Sequence, residues 1–233
     1  MTDLRQLTEH VWMLPPHPDR GRVQPTIGIV CTRHHTILYD AGNGPAHAEQ
    51  VKAALKGIAA PPVSQIIYSH YHWDHTFGAC VYGAPVIAHE SGYERMIDYA
   101  ARPWGPEFVA TTIREKPEIA GIYRAIDRAV GDWDEFEVIL PDITFNTRTH
   151  RMAIDGVTLE LEHVGGAHSP DSVVLRVPDE GVMFLGDCYY PRPGERGGRA
   201  DNAMMQRFLD EHQAYYIDGH HGEIWHNTGQ THR

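Results

Sequence analysis

The sequence predicts an α/β protein whose two halves each combine strands with helices, and three observations carry that reading. Up to about residue 90, short β-branched runs alternate with an amphipathic helical segment. From "FEVILPDITF" onward the chain returns to short strands separated by glycine-bearing turns. Between the two lies a helical, irregular block at about 91–135. We read residues 1–233 as a single domain with that block as an insertion.

In order, "HVWML", "TIGIVCT" and "TILYD" are short, β-branched or aromatic, and divided by Pro, Gly and His-rich turns, as expected of neighbouring antiparallel strands ending at Asp40. In "PAHAEQVKAALKGI", Pro45 suits a first helical turn and Val51, Ala54, Leu55 and Ile58 recur at helical spacing, which makes an amphipathic helix on a sheet. "PPVSQIIYS" reads as a buried strand and "APVIAHE" as the next. "YERMIDYAAR" and "EIAGIYRAIDRAV" are helical, with a break at Trp104 and Pro106; this block is expected to cap a substrate site. "TLELEHV", "DSVVLRVP" and "GVMFLGD" are strands, "MMQRFLDEH" a short helix and "AYYID" a last short strand.

Composition narrows the function classes. With 42% hydrophobic and 22% charged residues the chain fits a globular protein and neither a disordered nor a fibrous one. A formal charge of −11 repels polyanions, and no basic patch offsets it, so no nucleic-acid partner is expected; "PRPGERGGR" reads as a mobile, solvated loop. Cys31, Cys80 and Cys188 form no close-spaced pair and suggest no disulfide framework. Neither a secretion signal nor a membrane-length apolar run is seen, so a cytoplasmic protein with no membrane partner is expected. The outlier is histidine: 17 imidazoles exceed what a core or a solvated surface calls for, and imidazole is the commonest metal ligand.

Four of the unusual residues stand together. In "SHYHWDHTFGA", His70, His72, Asp74 and His75 follow the apolar "VSQIIY" directly. Alternation along an extended segment puts His70, His72 and Asp74 on one side, and a turn into a helix at His75 can swing its ring to the same point. Buried polar groups need partners, and six residues can here serve two adjacent metal sites. Tyr71 and Trp73, interleaved with them, should point away and pack beneath the loop.

"HYHWDH" resembles the HxHxDH signature of the metallo-β-lactamase superfamily. "LYDAGNG", "GGAHSPDS", "MFLGDC" and "YYIDGHHG" are similar to its other site segments, in the same order, so the resemblance spans about residues 10–222. It implies an αββα sandwich of two mixed β-sheets flanked by helices. It also implies that His70, His72 and His168 hold one metal, Asp74, His75 and His220 a second, and Asp187 bridges them. The catalytic roles fall to Asp74 and Asp187. The expected cofactors are two divalent ions, zinc first, with iron or manganese as alternatives. Such a pair shares a water, lowers its pKa toward neutrality and binds the developing oxyanion, which is hydrolysis without a protein nucleophile.

The expected function is therefore a metallo-hydrolase acting on a small ester, lactone, thioester or amide. A mononuclear iron enzyme of the persulfide-dioxygenase type, a β-lactamase, and a non-catalytic metal-binding protein of the same fold are the alternatives. His72 argues against the oxygen-reducing diiron branch, which carries a carboxylate there, and Asp187 departs from the true β-lactamases, which lack that bridge. Asp40 is expected to support the metal loop through hydrogen bonds, and Gly-His register favours His220 over His221. Cys188 should be a small packing residue and Tyr189 and Tyr190 wall or packing residues. His34, His35, His47, His89, His150, His163 and His226 are read as surface or satisfied imidazoles.

Overall fold

A computed structural model describes residues 4–195 and 197–226. The first half supplies β1 (Arg5–Gln6), β2 (Val11–Leu14), β3 (Ile27–Cys31), β4 (Thr36–Tyr39), β5 (Val63–Ile67) and β6 (Val86–His89), joined by β7 (Ile143–Phe145) in a seven-stranded sheet ordered β1 to β7. The second supplies β8 (Thr149–Ile154), β9 (Val157–His163), β10 (Val173–Val177), β11 (Val182–Gly186), β12 (Tyr215–Asp218) and β13 (Gly222–His226), a six-stranded sheet ordered β13-β12-β11-β10-β9-β8. Both sheets are mixed: β4 to β7 run parallel in the first and β11 with β12 in the second, the remaining pairs being antiparallel.

Why the sheets stack follows from their side chains. Val11, Val30, Ile37, Ile67 and Ile87 of the first sheet and Leu159, Leu161, Val173, Leu175 and Phe184 of the second share one buried cluster between the layers. β9 alternates in this way, with Val157, Leu159 and Leu161 inward and the residues between them half-buried, as a strand with one buried face must. The outer face of the first sheet, Ile29, Leu38 and Ile66, is covered by α1 (Pro45–Gly57), which buries Val51 and Leu55. The outer face of the second, Val174, Met183 and Leu185, is covered by α6 (Asn202–Leu209) through Phe208. The layers are therefore helix, sheet, sheet, helix, the αββα sandwich that the family resemblance implies.

The short α2 (Trp73–Thr76) closes the histidine-rich loop, and α3 (Tyr93–Ala100), α4 (Pro106–Glu115) and α5 (Ala120–Val130) make up the helical block. Four elements escaped the sequence reading: β1, α4, β8 and β13, the second because Pro106, read as a break, opens a helix as its N1 residue. β8 is an edge strand of exposed and half-buried residues, so its "THRMAI" carries no apolar run to announce it. β13 lies within a polar tail. Among the described residues no helix is long and apolar enough to cross a membrane.

Candidate metal centre

Parallel strands set up the site. β4 and β5 of one sheet and β11 and β12 of the other end in Asp40, Ser69–His70, Asp187 and Asp218–His220, so the carboxyl ends of two parallel pairs converge at one rim of the sandwich. Gly186 makes the approach tight: its φ is +55°, and a Cβ there would lie 2.8 Å from the Ser69 side chain. Only glycine lets β11 turn against the β5 loop and deliver Asp187 to the histidines.

Six residues after β5 then supply four groups. His70 and His72 face inward, the chain turns into α2 at His72, and Asp74 and His75 follow on the first helical turn. His70 Nε2 lies 2.8 Å from His72 Nδ1, which lies 3.1 Å from His168 Nε2. Close beside them stand Asp74, His75, Asp187 and His220, with His220 Nε2 3.2 Å from both Asp74 Oδ2 and Asp187 Oδ2. Asp187 Oδ2 is also 3.4 Å from His75 Nε2 and 3.4 Å from His168 Nε2, so one oxygen faces both groups. All seven predicted site residues are brought together, divided as three imidazoles and a mixed set of four.

Hydrogen bonds behind the site fix which nitrogens face it. Ser69 Oγ–H donates to Asp40 Oδ2 (2.9 Å), which leaves Ser69 Oγ to accept His70 Nδ1–H (2.9 Å) and His70 Nε2 with a lone pair toward the centre. His75 Nδ1–H donates to Asp40 Oδ2 (2.7 Å), and His168 Nδ1–H to the Pro191 carbonyl (3.2 Å). These outer partners orient the rings much as in built metal sites. Asp40 also accepts the Ser69 backbone N–H (2.7 Å) and holds a left-handed φ of 69°, so it supports the loop as expected.

Electrostatics separates the two sets. Burial drives His70 well below the ordinary imidazole value and His72 down to about 4, with neighbouring imidazoles adding to the effect for His70. In the mixed set, burial alone would lower His75 and His220. The carboxylates prevail: Asp40, Asp187 and Asp74 hold His75 well above its usual value, and Asp187 with Asp74 raises His220 to about 10. Burial likewise opposes ionisation of Asp187, yet His75 and His220 hold it well below the carboxylate range.

The residues fit a metal pair. Three imidazole nitrogens with converging lone pairs, His72 Nδ1 lying 2.8 and 3.1 Å from the other two, suit an ion with Zn–N near 2.0–2.1 Å. His75 Nε2 and Asp187 Oδ1 are buried and lack a hydrogen-bond partner of adequate geometry among the described residues, a cost that a cation would relieve.

Surrounding residues refine the sequence reading. His221 turns away, its backbone N–H and ring bonded to Asp218 (2.6 and 2.8 Å), so His220 is the one in the cluster. Tyr189 and Tyr190 hydroxyls donate to Asp218 Oδ2 (2.5 and 2.8 Å), and the Tyr190 ring lies 5.9 Å from that of His168 and 6.1 Å from that of His220. Asp218, buried beneath this network, was missed; only its place immediately before the Gly-His points to it. Cys188 packs on the α6 side as expected.

His47 departs from expectation: it is buried, and its Nε2 has no hydrogen-bond partner among the described residues. His89 and His163 are satisfied in an unexpected way, stacked face to face at 3.5 Å. The His226 side chain, and Arg196 of the "PRPGERGGR" loop, lie outside the described residues.

Trp73 turns away from the metal side and packs with Phe77, Ile126 and Trp104. The helical block thus lies against the back of the ligand loop, where Trp73, Tyr99, Arg102, Trp104, Lys116 and Tyr123 border a groove of about 500 Å³.

Comparison with known proteins agrees with the architecture. The family model for the metallo-beta-lactamase superfamily matches residues 20–220. The solved structure of the stereoselective inverting sec-alkylsulfatase Pisa1 from Pseudomonas sp. is similar, with a TM-score of 0.70 at 16% identity; the match covers 97% of this chain and 39% of the sulfatase. A metallo-beta-lactamase from Pontibacter korlensis gives a TM-score of 0.61 at 19% identity, covering 95% and 92% of the two chains. A metallo-beta-lactamase family protein from Thermus thermophilus gives 0.63 at 17% identity, covering 94% and 76%. Identities this low speak for the fold alone. No curated protein matches the chain.

Proposed function

The chain belongs to the metallo-beta-lactamase superfamily, and from that premise we propose that it is a dinuclear metallo-hydrolase acting on a small ester, lactone, thioester or amide. The observation that carries the reading is the pairing of two complete donor sets through a single oxygen, Asp187 Oδ2. His70, His72 and His168 would hold one divalent ion and Asp74, His75 and His220 the other, zinc being the first candidate. When bound, such a pair supplies a water of lowered pKa and positive charge for the developing oxyanion.

The chain's own residues do the rest. Asp187 keeps the two sets at a fixed separation, and Asp74 Oδ2, 3.2 Å from His220 Nε2, is placed to orient the attacking water and take its proton. His70, Asp74, His75 and Asp187 are buried, while His72, His168 and His220 are half-buried, so substrate enters over these three imidazoles beside the Tyr190 ring. The Tyr190 hydroxyl is held by Asp218 and lies 2.8 Å from His221 Nδ1, which makes it a rigid wall. We further propose a single domain over 1–233 with an insertion at about 91–135, a cytoplasmic location, and a small-molecule substrate in place of nucleic acid.

A hydrolysis screen over lactones, thioesters, phosphodiesters and β-lactams, before and after chelation and zinc restoration, tests the proposal. Activity on an acyl substrate that chelation abolishes and zinc restores is expected. One iron per chain with sulfur-dependent oxygen uptake would replace the hydrolase by the dioxygenase reading.

A further inference from the structure

The three imidazoles of the first set come from two different sheets. His70 and His72 follow β5, whereas His168 stands in the loop between β9 and β10. No single ladder fixes the distance between those loops, yet His168 Nε2 meets His72 Nδ1 at 3.1 Å. Something must hold the loops in register.

Asp171 is placed to do so. It is 4% exposed and belongs to neither donor set. Its carboxylate accepts the Ser169 hydroxyl, next to His168 on one loop, and faces the Tyr71 backbone N–H, between His70 and His72 on the other, whose dipole favours its charge. The start of the helical block closes over it: a Cβ on Gly92 would collide with Asp171 Oδ2, so glycine there leaves room for the carboxylate. Further bonds stiffen the same turn. Ser172 Oγ–H donates to the Ser169 carbonyl (2.9 Å), His163 Nε2–H to the Pro170 carbonyl (2.8 Å), and Val173 N–H to the Ser69 carbonyl (2.8 Å).

We propose that Asp171 is a positioning residue that clasps the 69–73 and 164–172 loops, and thereby sets the metal affinity of His70, His72 and His168 without touching the metal. The inference rests on the metal reading of those histidines. The physical reason is that a buried carboxylate set between polar hydrogens of both loops resists their separation, since parting them leaves a desolvated charge short of favourable dipoles. Support of this kind behind ligands is worth about 10–100-fold in metal affinity.

The test is a stepwise zinc titration of the apo protein against a chromophoric chelator, the two steps assigned with His168→Ala and His220→Ala. Asp171→Ala is expected to weaken the step lost in His168→Ala by about 10–100-fold and to leave the other within about threefold, in a protein with wild-type circular dichroism. Ser169→Ala, which removes one donor without stranding a charge, should weaken the same step by about fivefold and serves if Asp171→Ala does not fold. Unchanged affinity at both steps in a folded variant, or equal weakening of both, would overturn the clasp and leave Asp171 as a turn residue. A wild type that binds no ion would overturn the metal reading as well.

Discussion

At the scale of residues, Asp40 illustrates how little of the support is visible in sequence. The same carboxylate accepts from the Ser69 backbone, the Ser69 hydroxyl and His75 Nδ1, and through Ser69 it also governs His70. Asp40→Asn can keep the left-handed backbone, which Asn tolerates, but loses the anion. It should weaken zinc binding by about 10–100-fold, as read by chelator competition. Asp74→Ala and Asp187→Ala should each lower turnover by about a thousandfold or more with the circular dichroism of the fold retained. His220→Ala should cost far more activity than His221→Ala, since His221 meets Asp218 and Tyr190 and no donor set. An exchange of these phenotypes would put the Gly-His register one residue out. The local cluster at 70–75 is legible from alternation alone. His168, Asp187 and His220 are distant in sequence and were reached only through family resemblance. Asp171 and Asp218 were not singled out, because the groups they brace, around Tyr71 and at Tyr189 and Tyr190, lie far from them in sequence.

At the scale of elements, Glu162 on β9 binds the helix and the second sheet together. Its carboxylate accepts from Arg176 of β10 (2.6 Å), Arg207 of α6 (2.8 Å) and Arg148 (3.0 Å). Burial pushes the Glu162 carboxyl up, but Arg207, Arg176 and Arg148 hold it at about 2, below the unfolded value of about 4.3. Its contribution to stability is therefore full above about pH 5 and is lost as pH falls toward about 2. Glu162→Gln should cost about 3 kcal/mol at neutral pH and flatten the acid limb between about pH 5 and 3 in urea titrations. Parallel losses in wild type and variant would refute this assignment.

Strands and helices were legible where a buried face imposed a period, as in β9 and α1. β8 and β13 were not, because edge strands need no apolar run. The helical block behaves differently from a lid over the ligands. The Trp104 indole donates to the Tyr99 carbonyl (2.8 Å) and packs beside Phe77 and Trp133, behind Trp73. Trp104→Ala should lower stability by about 3 kcal/mol. If the groove beside it also receives substrate, relative kcat/KM will shift with acyl size at constant metal content; equal loss on all substrates assigns Trp104 to packing.

At the scale of the whole molecule, two mixed sheets place the carboxyl ends of parallel strands from both halves at one rim, and the donors gather there. The α/β character was legible because strands and helices recur in both halves. That the halves face one another was not, since pairing between sheets leaves no local signature and entered through the resemblance. The proposed chemistry requires that seven side chains form two metal sites joined by Asp187. Elemental analysis of zinc-replete, dialysed protein tests it most directly. Two zinc ions per chain in the wild type, falling to one or fewer in Asp187→Ala, is the predicted result; a wild type that holds a single ion, with the Asp187→Ala stoichiometry unchanged, would contradict it.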